Sequence, residues 1–171
     1  DGIWNIAEVA VNSTVNGVST NVALNKTVTG SRPTNAGVIV NGSTSDSYEP
    51  SSGGAANQWL MIDLGQSYAV DSIAVTPRTT QPQRLSNTSV YASNIDFTSQ
   101  LTVGSQLTTA QMTGLNNGSY SNTTLLQIGT NSQTASITNS FNTDNSSPVV
   151  VVSLTSLWAS VAGEVVKLYD T

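Results

Sequence analysis

Short runs in which apolar and polar residues alternate dominate this chain, and they predict strands rather than helices. Val, Ile, Thr and Tyr fill these runs, and Gly, Asn, Ser and Pro separate them. The pattern is typical of an all-β sandwich or barrel. We predict strands near residues 21–24, 59–64, 71–78, 87–93, 124–129, 134–141, 148–154 and 164–170.

Two of these runs also predict the direction of their side chains. In WLMIDL (59–64), Leu60, Ile62 and Leu64 share one face, because successive side chains of a strand point to opposite sides. The run 149–152 is apolar on both faces, which predicts a central strand that is covered on both sides. Residues 104–123 have no comparable pattern, and we expect a long loop or a poorly patterned hairpin there.

The chain length suits one domain with a short appendage, since the chain has 171 residues. We place the body of the domain at 21–171. Residues 1–20 form either an extra strand or a linker from an upstream domain. The segment contains Trp4, Ile6, Val9 and Val11, and a linker rarely contains a Trp, so we favour a segment that docks on the body.

The absence of His and Cys excludes several kinds of chemistry. Neither Ser-His-Asp nor Cys-His catalysis is possible, and the usual zinc sites are excluded as well. A bound metal would have to prefer oxygen ligands, and calcium is the first candidate.

Charge and composition restrict the partners. The net charge is −5, with only five Lys and Arg residues, which argues against nucleic acid and against anionic membranes. No apolar run approaches the roughly 20 residues of a membrane span. The abundance of Ser, Thr, Asn and Gly favours a protein that is secreted or lies at the cell surface.

The stretch VIVNGSTSDSYE (38–49) is unusual in a chain that is only 9% charged, because an amide, several hydroxyls and two carboxylates follow a short apolar run. It is either an Asx-rich turn or a loop around a cation. Near the other end of the chain, a period of two places Glu164 on the same face as Val166 and Leu168. If that face is the core, a carboxylate enters it and needs a partner, which a bound cation would supply; otherwise Glu164 lies at a solvated strand end.

Five segments, in order, carry a family resemblance. They are NVALNKTVTGS, VNGSTSDSYE, NQWLMIDLGQSYAVDSIAVTPR, QRLSNTSVYAS and WASVAGEVVKLYD. Together they resemble the coagulation factor V/VIII type C family, also called discoidin domains, and within it carbohydrate-binding module family 32. The resemblance covers residues 21 to 170. It implies a β-sandwich or distorted jelly roll, with ligands bound by loops at one end and a structural calcium nearby.

The resemblance also implies a set of ion ligands. The side chains would come from Asn41, Ser43, Asp46 and Glu164, and the backbone carbonyls from Val38 and Gly163. Asn41 stands where the family has an Asp, which removes one charge, and Asp46 could restore it. Calcium is expected, and sodium is the alternative if the substitution weakens the charge of the site.

The ligand-binding residues implied by the resemblance lie on several loops. Arg78 matches a family Arg that bonds the sugar, and Arg84 matches an Arg that is often structural. Three other positions carry replacements, which puts galactose specificity in doubt: Tyr48 for Trp, Glu49 for His and Gln83 for Asn. Trp158 falls in the region of the family's stacking aromatic. The alternatives are that Trp158 is a core residue and that Arg78 pairs with Asp71 or Glu49.

The function implied is that of a non-catalytic carbohydrate-binding module within a larger secreted or cell-surface protein. A discoidin-type adhesion domain that binds a protein partner is the alternative. Paired carboxylates such as Asp46 and Glu49 can hydrolyse glycosides, but they fall in the implied ion loop, and we therefore predict no enzyme activity.

Overall fold

The computed structural model describes residues 5–49, 57–66, 68–85, 88–93, 101–116, 123–128, 135–141 and 149–154. Nine strands form the framework of this part of the chain. They are β1 (Glu8–Val15), β2 (Val18–Asn21), β3 (Thr27–Gly30), β4 (Trp59–Asp63), β5 (Val70–Thr76), β6 (Thr88–Ser93), β7 (Thr123–Ile128), β8 (Ala135–Phe141) and β9 (Val149–Leu154). Two short 3-10 helices (Ala36–Val40 and Pro82–Leu85) and one α-helix, α1 (Thr109–Asn116), complete the described elements.

The strands form two sheets. One has the order β2-β1-β5-β8 and the other the order β3-β4-β9-β6-β7, with antiparallel pairing throughout these sheets. The apolar core lies between them and includes Val9 and Val11 from one sheet and Leu60 and Ile62 from the other. The predicted all-β sandwich is therefore confirmed, and so is the central position of the run 149–152, since β9 lies between β4 and β6.

Residues 8–21 form a hairpin within the first sheet. Asn16 and Gly17 join β1 to β2 with φ angles of 51° and 79°, the left-handed conformation that a tight hairpin turn requires. β1 pairs with β2 on one side and with β5 on the other. The N-terminal segment thus supplies an interior strand of the sheet.

The predicted strand at 21–24 is wrong beyond Asn21. Here the side-chain oxygen Oδ1 of Asn21 accepts hydrogen bonds from the backbone N–H groups of Val11 and Ala23, at 3.1 Å each. A side chain that bonds the backbone two residues further on turns the chain out of the strand. The predicted strand at 164–170 lies outside the described residues.

Side chains of β4 alternate as predicted and build two separate cores. Leu60, Ile62 and Leu64 lie in the core between the sheets. Trp59 and Met61 point to the other side of the sheet, where they pack with Tyr91 and with side chains of the segment 101–115. The indole Nε1 of Trp59 donates a hydrogen bond of 2.9 Å to the carbonyl of Ser105, so this segment is fixed to the outer face of the sheet.

The helix α1 corrects the prediction of a loop or hairpin at 104–123. Among residues 109–115 of α1, Met112 and Leu115 are buried, which is too few for a clear helical period. The sequence nevertheless contains a helix N-terminal capping signal, Thr108 and Gln111. The Thr108 hydroxyl accepts a hydrogen bond from the backbone N–H of Gln111 at 3.2 Å. The Gln111 side chain in turn accepts the backbone N–H of Thr108 at 2.8 Å. This reciprocal pair is a capping box. Over the described residues, no helix is long and apolar enough to cross a membrane.

Candidate functional site

One end of the sandwich collects several of the predicted site residues. β1 begins at Glu8, directly opposite Thr76 at the end of β5. The residue before this pair, Ala7, donates its N–H to the Thr76 carbonyl at 2.8 Å. Ile6 and Tyr48 exchange two backbone hydrogen bonds of 3.1 and 2.7 Å, which attach the loop 41–49 to the same end.

An open cavity of about 390 Å³ lies beside this attachment. Its lining comes from two stretches, 32–38 and 46–49, and includes Arg32, Asp46, Tyr48 and Glu49. The volume falls within the range of small-ligand sites, roughly 300–1,000 Å³. One basic and two acidic residues thus line one hollow, and their side chains carry groups that can donate and accept several hydrogen bonds at once.

Tyr48 connects the core to this cavity. Its side chain is only 4% exposed and packs in the core between the sheets, although the residue also lines the cavity. Among the described residues, the phenol oxygen has no hydrogen-bond partner. Burial raises the pKa of Tyr48 to about 12, and the nearby positive charge of Arg32 partly opposes this rise. A buried hydroxyl without a partner costs free energy, so a ligand that bonds it would remove that cost.

Glu49 is held by a residue from the N-terminal segment. Asn5 donates from Nδ2 to Oε2 of Glu49 at 3.3 Å. The same Asn5 accepts at Oδ1 a hydrogen bond of 3.0 Å from Nη1 of Arg84. Two predicted ligand-binding residues, Glu49 and Arg84, are therefore joined through Asn5, which the sequence did not identify as a site residue.

The remaining predicted ligand-binding residues are less closely associated with the cavity. Arg78 follows the end of β5, is half-buried and does not line the cavity. Gln83 lies in the 3-10 helix Pro82–Leu85 beside Arg84. Trp158 lies outside the described residues.

The loop predicted to bind an ion folds into a chain of local turns. Oδ1 of Asn41 accepts the N–H of Ser43 at 2.7 Å, and the Ser43 hydroxyl accepts the N–H of Ser45 at 3.2 Å and lies 2.7 Å from the Ser45 hydroxyl. Asn41 and Asp46 are exposed, and Asp46 lines the cavity. Val38 belongs to the 3-10 helix Ala36–Val40 and also lines the cavity. These contacts are those of an Asx-rich turn.

A carboxylate that the sequence reasoning missed lies against this loop. Glu8 is 6% exposed, and its Oε1 accepts the backbone N–H of Gly42 at 3.2 Å. Its Oε2 is buried and has no hydrogen-bond partner within the described part of the chain. Burial raises the pKa of the Glu8 carboxyl to about 7, and the hydrogen bond from Gly42 opposes the rise. The signal was a single carboxylate in the apolar run IAEVAV, the same reasoning that was applied to Glu164.

No group of three or more Asp, Glu, His or Cys side chains that could hold a metal occurs in the described ranges. Gly163 and Glu164, the other predicted ligands, lie outside those ranges. Glu8 is thus the carboxylate that the described structure places, largely buried, against the loop 41–43.

Comparison with protein families identifies a match over residues 38–151. The matching family model is the F5/8 type C model described as a NedA-like, galactose-binding domain. The match spans more than half of the chain and includes the cavity-lining residues 46–49. No curated protein matches the chain, and no solved structure matches it.

Proposed function

The chain belongs to the NedA-like, galactose-binding family of F5/8 type C domains, and on that premise we propose that it is a non-catalytic carbohydrate-binding module. The sugar would occupy the cavity between the stretches 32–38 and 46–49. The observation that carries the proposal is the convergence of Arg32, Asp46 and Glu49 on one hollow, next to the unpartnered phenol of Tyr48. A sugar presents a rim of hydroxyl groups, each both donor and acceptor, to such a set.

Residues around the cavity would complete the site. Trp158 would stack against the apolar C–H face of the sugar ring, as aromatic side chains do in carbohydrate sites. Arg78, Gln83 and Arg84 would bond hydroxyls of a longer glycan that extends towards the end of β5. The separation of Arg78 from the cavity lining makes it a contact for a second sugar unit rather than for the first.

A single module would bind its glycan weakly, so retention would depend on several copies of the module. We expect a single module to bind in the micromolar to millimolar range, which corresponds to roughly 4 to 8 kcal/mol. Useful retention on a polysaccharide then requires several modules or a parent protein with its own affinity. We therefore propose that this domain works outside the cell as part of a larger secreted or cell-surface protein, in keeping with its few Lys and Arg residues.

We also propose a structural cation beside the loop 41–46, with calcium preferred over sodium. The buried, unpartnered Oε2 of Glu8 fits a cation, because an ionised carboxylate in the interior needs a positive partner. The amide oxygen of Asn41 has a second lone pair besides the one that Ser43 uses. Ser43, Asp46, Glu164 and the carbonyls of Val38 and Gly163 would supply further oxygen ligands, and the ion would stiffen the loop that carries Tyr48 and Glu49.

Affinity electrophoresis through a panel of polysaccharides, together with a glycan array, tests the proposed function. We expect retardation by at least one polysaccharide, with loss in Arg32→Ala and Glu49→Gln. The control is Asp71→Asn, since Asp71 lies at the far end of β5 and bonds the Thr14 hydroxyl. Both assays are run with calcium and with a chelator.

The other outcomes separate the alternatives. Binding to a protein but to no glycan would replace the proposal with the adhesion function. Release of new reducing ends from a bound polysaccharide, lost in Glu49→Gln, would show that the domain is an enzyme. Binding that is unchanged in both cavity variants would place the sugar elsewhere on the domain.

A further inference from the structure

The amide of Asn5 is one of the most deeply buried polar groups at the binding end. Asn5 is 1% exposed and precedes β1, in the segment that the sequence left as either a strand or a linker. It bonds two residues that are far apart in the chain: Glu49, 44 residues away, and Arg84, 79 residues away.

The chemistry of this contact suits an amide. Arg84 can only donate and the carboxylate of Glu49 can only accept, so a group that joins them must accept on one side and donate on the other. Asn5 does both, with Oδ1 towards Arg84 and Nδ2 towards Glu49. An Asp at this position could satisfy Arg84 but would bring a second negative charge against Glu49.

The backbone next to Asn5 makes the contact rigid. Ile6 and Tyr48, the two neighbours in sequence of Asn5 and Glu49, exchange a pair of backbone hydrogen bonds. Asn5 and Glu49 therefore cannot slide past each other, and the hydrogen bond between them sets the direction of the Glu49 carboxylate at the cavity wall.

We propose that Asn5 is a positioning residue of the sugar site, which aims the Glu49 carboxylate into the cavity and ties it to Arg84. The inference rests on the proposed function, since it assigns Glu49 to ligand contact. It goes beyond that function because it makes the N-terminal segment part of the binding end, although Asn5 touches no ligand itself. Preorganised groups bind better because they lose less freedom on binding.

Three variants test the role of Asn5 in the full chain, with the retarding polysaccharide as the probe. Asn5→Ala removes both hydrogen bonds and should weaken binding about tenfold or more, the range for hydrogen bonds to charged groups. Asn12→Ala is the matched control, because Asn12 lies on β1 further from the cavity and donates from Nδ2 to the Ser72 hydroxyl at 3.1 Å. It should leave binding unchanged.

Asn5→Asp makes binding depend on pH in a way that a purely structural role of Asn5 would not explain. The acceptor for Arg84 remains, so the fold should persist even if Asn5→Ala fails to fold. At pH 7.5 two carboxylates face each other and binding should be weak. At pH 5 the pair can share one proton, which restores a donor, and binding should recover relative to wild type. Glu8, Arg32, Asp46, Arg78 and Arg84 are the other charged groups that the structure describes at this end. They are common to both proteins, so any titration of Glu8 cancels when the variant is compared with the wild type at the same pH.

The outcomes decide the inference separately from the proposed function. Wild-type binding at both pH values in Asn5→Asp would overturn it, and so would equal binding by Asn5→Ala and Asn12→Ala. If the wild type binds no glycan, the proposed function fails, and a double-mutant cycle of Asn5→Ala with Glu49→Gln then decides whether the two side chains are coupled. Losses in melting temperature that add without coupling would overturn the inference.

Discussion

The Oε1 atom of Glu8 accepts a hydrogen bond of 3.2 Å from the backbone N–H of Gly42, 34 residues further along the chain. This contact connects the first strand of one sheet to the loop that carries the predicted ion ligands. The second carboxylate oxygen, Oε2, is buried and has no partner in the described part of the structure. A carboxylate in this state needs either a proton or a cation, and each would stabilise the folded chain under different conditions.

The substitution Glu8→Gln should abolish stabilisation by calcium. In the wild type, calcium at about 100 times its dissociation constant would stabilise the fold by about 2.7 kcal/mol, which corresponds to a rise in melting temperature of roughly 5 to 10 °C for a domain of this size. Calorimetry with calcium and with a chelator measures the difference. Asp71→Asn, which changes a half-buried carboxylate at the other end of β5, should keep the full calcium response. An equal response in Glu8→Gln would show that Glu8 does not bind the ion, and a response to sodium alone would identify the other cation.

With chelator present, the stability of the wild type should fall as the pH rises from about 5 to 7.5. The pKa of Glu8 is raised from 4.5 to about 7 by burial, so in this window the folded chain holds a proton that the unfolded chain has released. Unfolding then releases a proton, and the free energy of unfolding decreases by at most about 1.4 kcal/mol per pH unit. The stabilisation by the proton on Glu8 is complete below the unfolded pKa of 4.5 and is lost as the pH rises through about 7. Urea denaturation of the wild type and of Glu8→Gln at several pH values tests this. The free energy of unfolding of the variant should depend less on pH.

The sequence predicted the sheets far better than the site. Alternation in WLMIDL was sufficient to orient Leu60 and Ile62, because a strand has only two faces and one of them must be buried. The sequence did not predict α1, because Met112 and Leu115 alone form the buried apolar face over residues 109–115. A capping signal such as Thr108 with Gln111 is recognisable only when a helix is already suspected.

The site depends on contacts that sequence patterns do not contain. Tyr48, Glu49 and Arg84 could be nominated from the family resemblance, since each occupies a motif position. Asn5 could not, and Glu8 could be noticed only as a carboxylate in an apolar run, because their partners lie 34 to 79 residues away. The partners meet them through tertiary contacts such as the Ile6–Tyr48 backbone pair. A lone Asn or Glu near a strand has no local sign of its partner.

Replacing Gly30 with Ala should destabilise the fold strongly. Gly30 ends β3, and a Cβ atom there would lie 2.5 Å from the Trp59 carbonyl oxygen and 2.7 Å from the Leu60 side chain. The carbonyl belongs to the backbone of β4 and cannot move aside without disturbing the sheet. Overpacking of this kind costs about 1 to 3 kcal/mol.

The control is Gly37→Ala, where a Cβ atom meets nothing within 4 Å, and it should change the free energy of unfolding by less than about 0.5 kcal/mol. Urea denaturation of both variants compares them, and similar values would contradict the close approach of β3 and β4.

The substitution Tyr48→Phe should weaken binding without lowering the stability of the fold. Among the described residues the Tyr48 phenol has no hydrogen-bond partner, so its removal leaves no other group unpaired and spares the cost of a buried hydroxyl. We expect the ligand-free variant to be as stable as the wild type or more stable by up to about 1 kcal/mol. If the phenol bonds a sugar hydroxyl in the cavity, the same variant should bind the retarding polysaccharide about threefold to tenfold more weakly.

Tyr68→Phe is the control, because it changes a half-buried phenol that does not line the cavity, and it should leave binding unchanged. Calorimetry and affinity electrophoresis on the same preparations measure both quantities, and a variant that is less stable yet binds normally would mean that the phenol serves the core rather than the ligand.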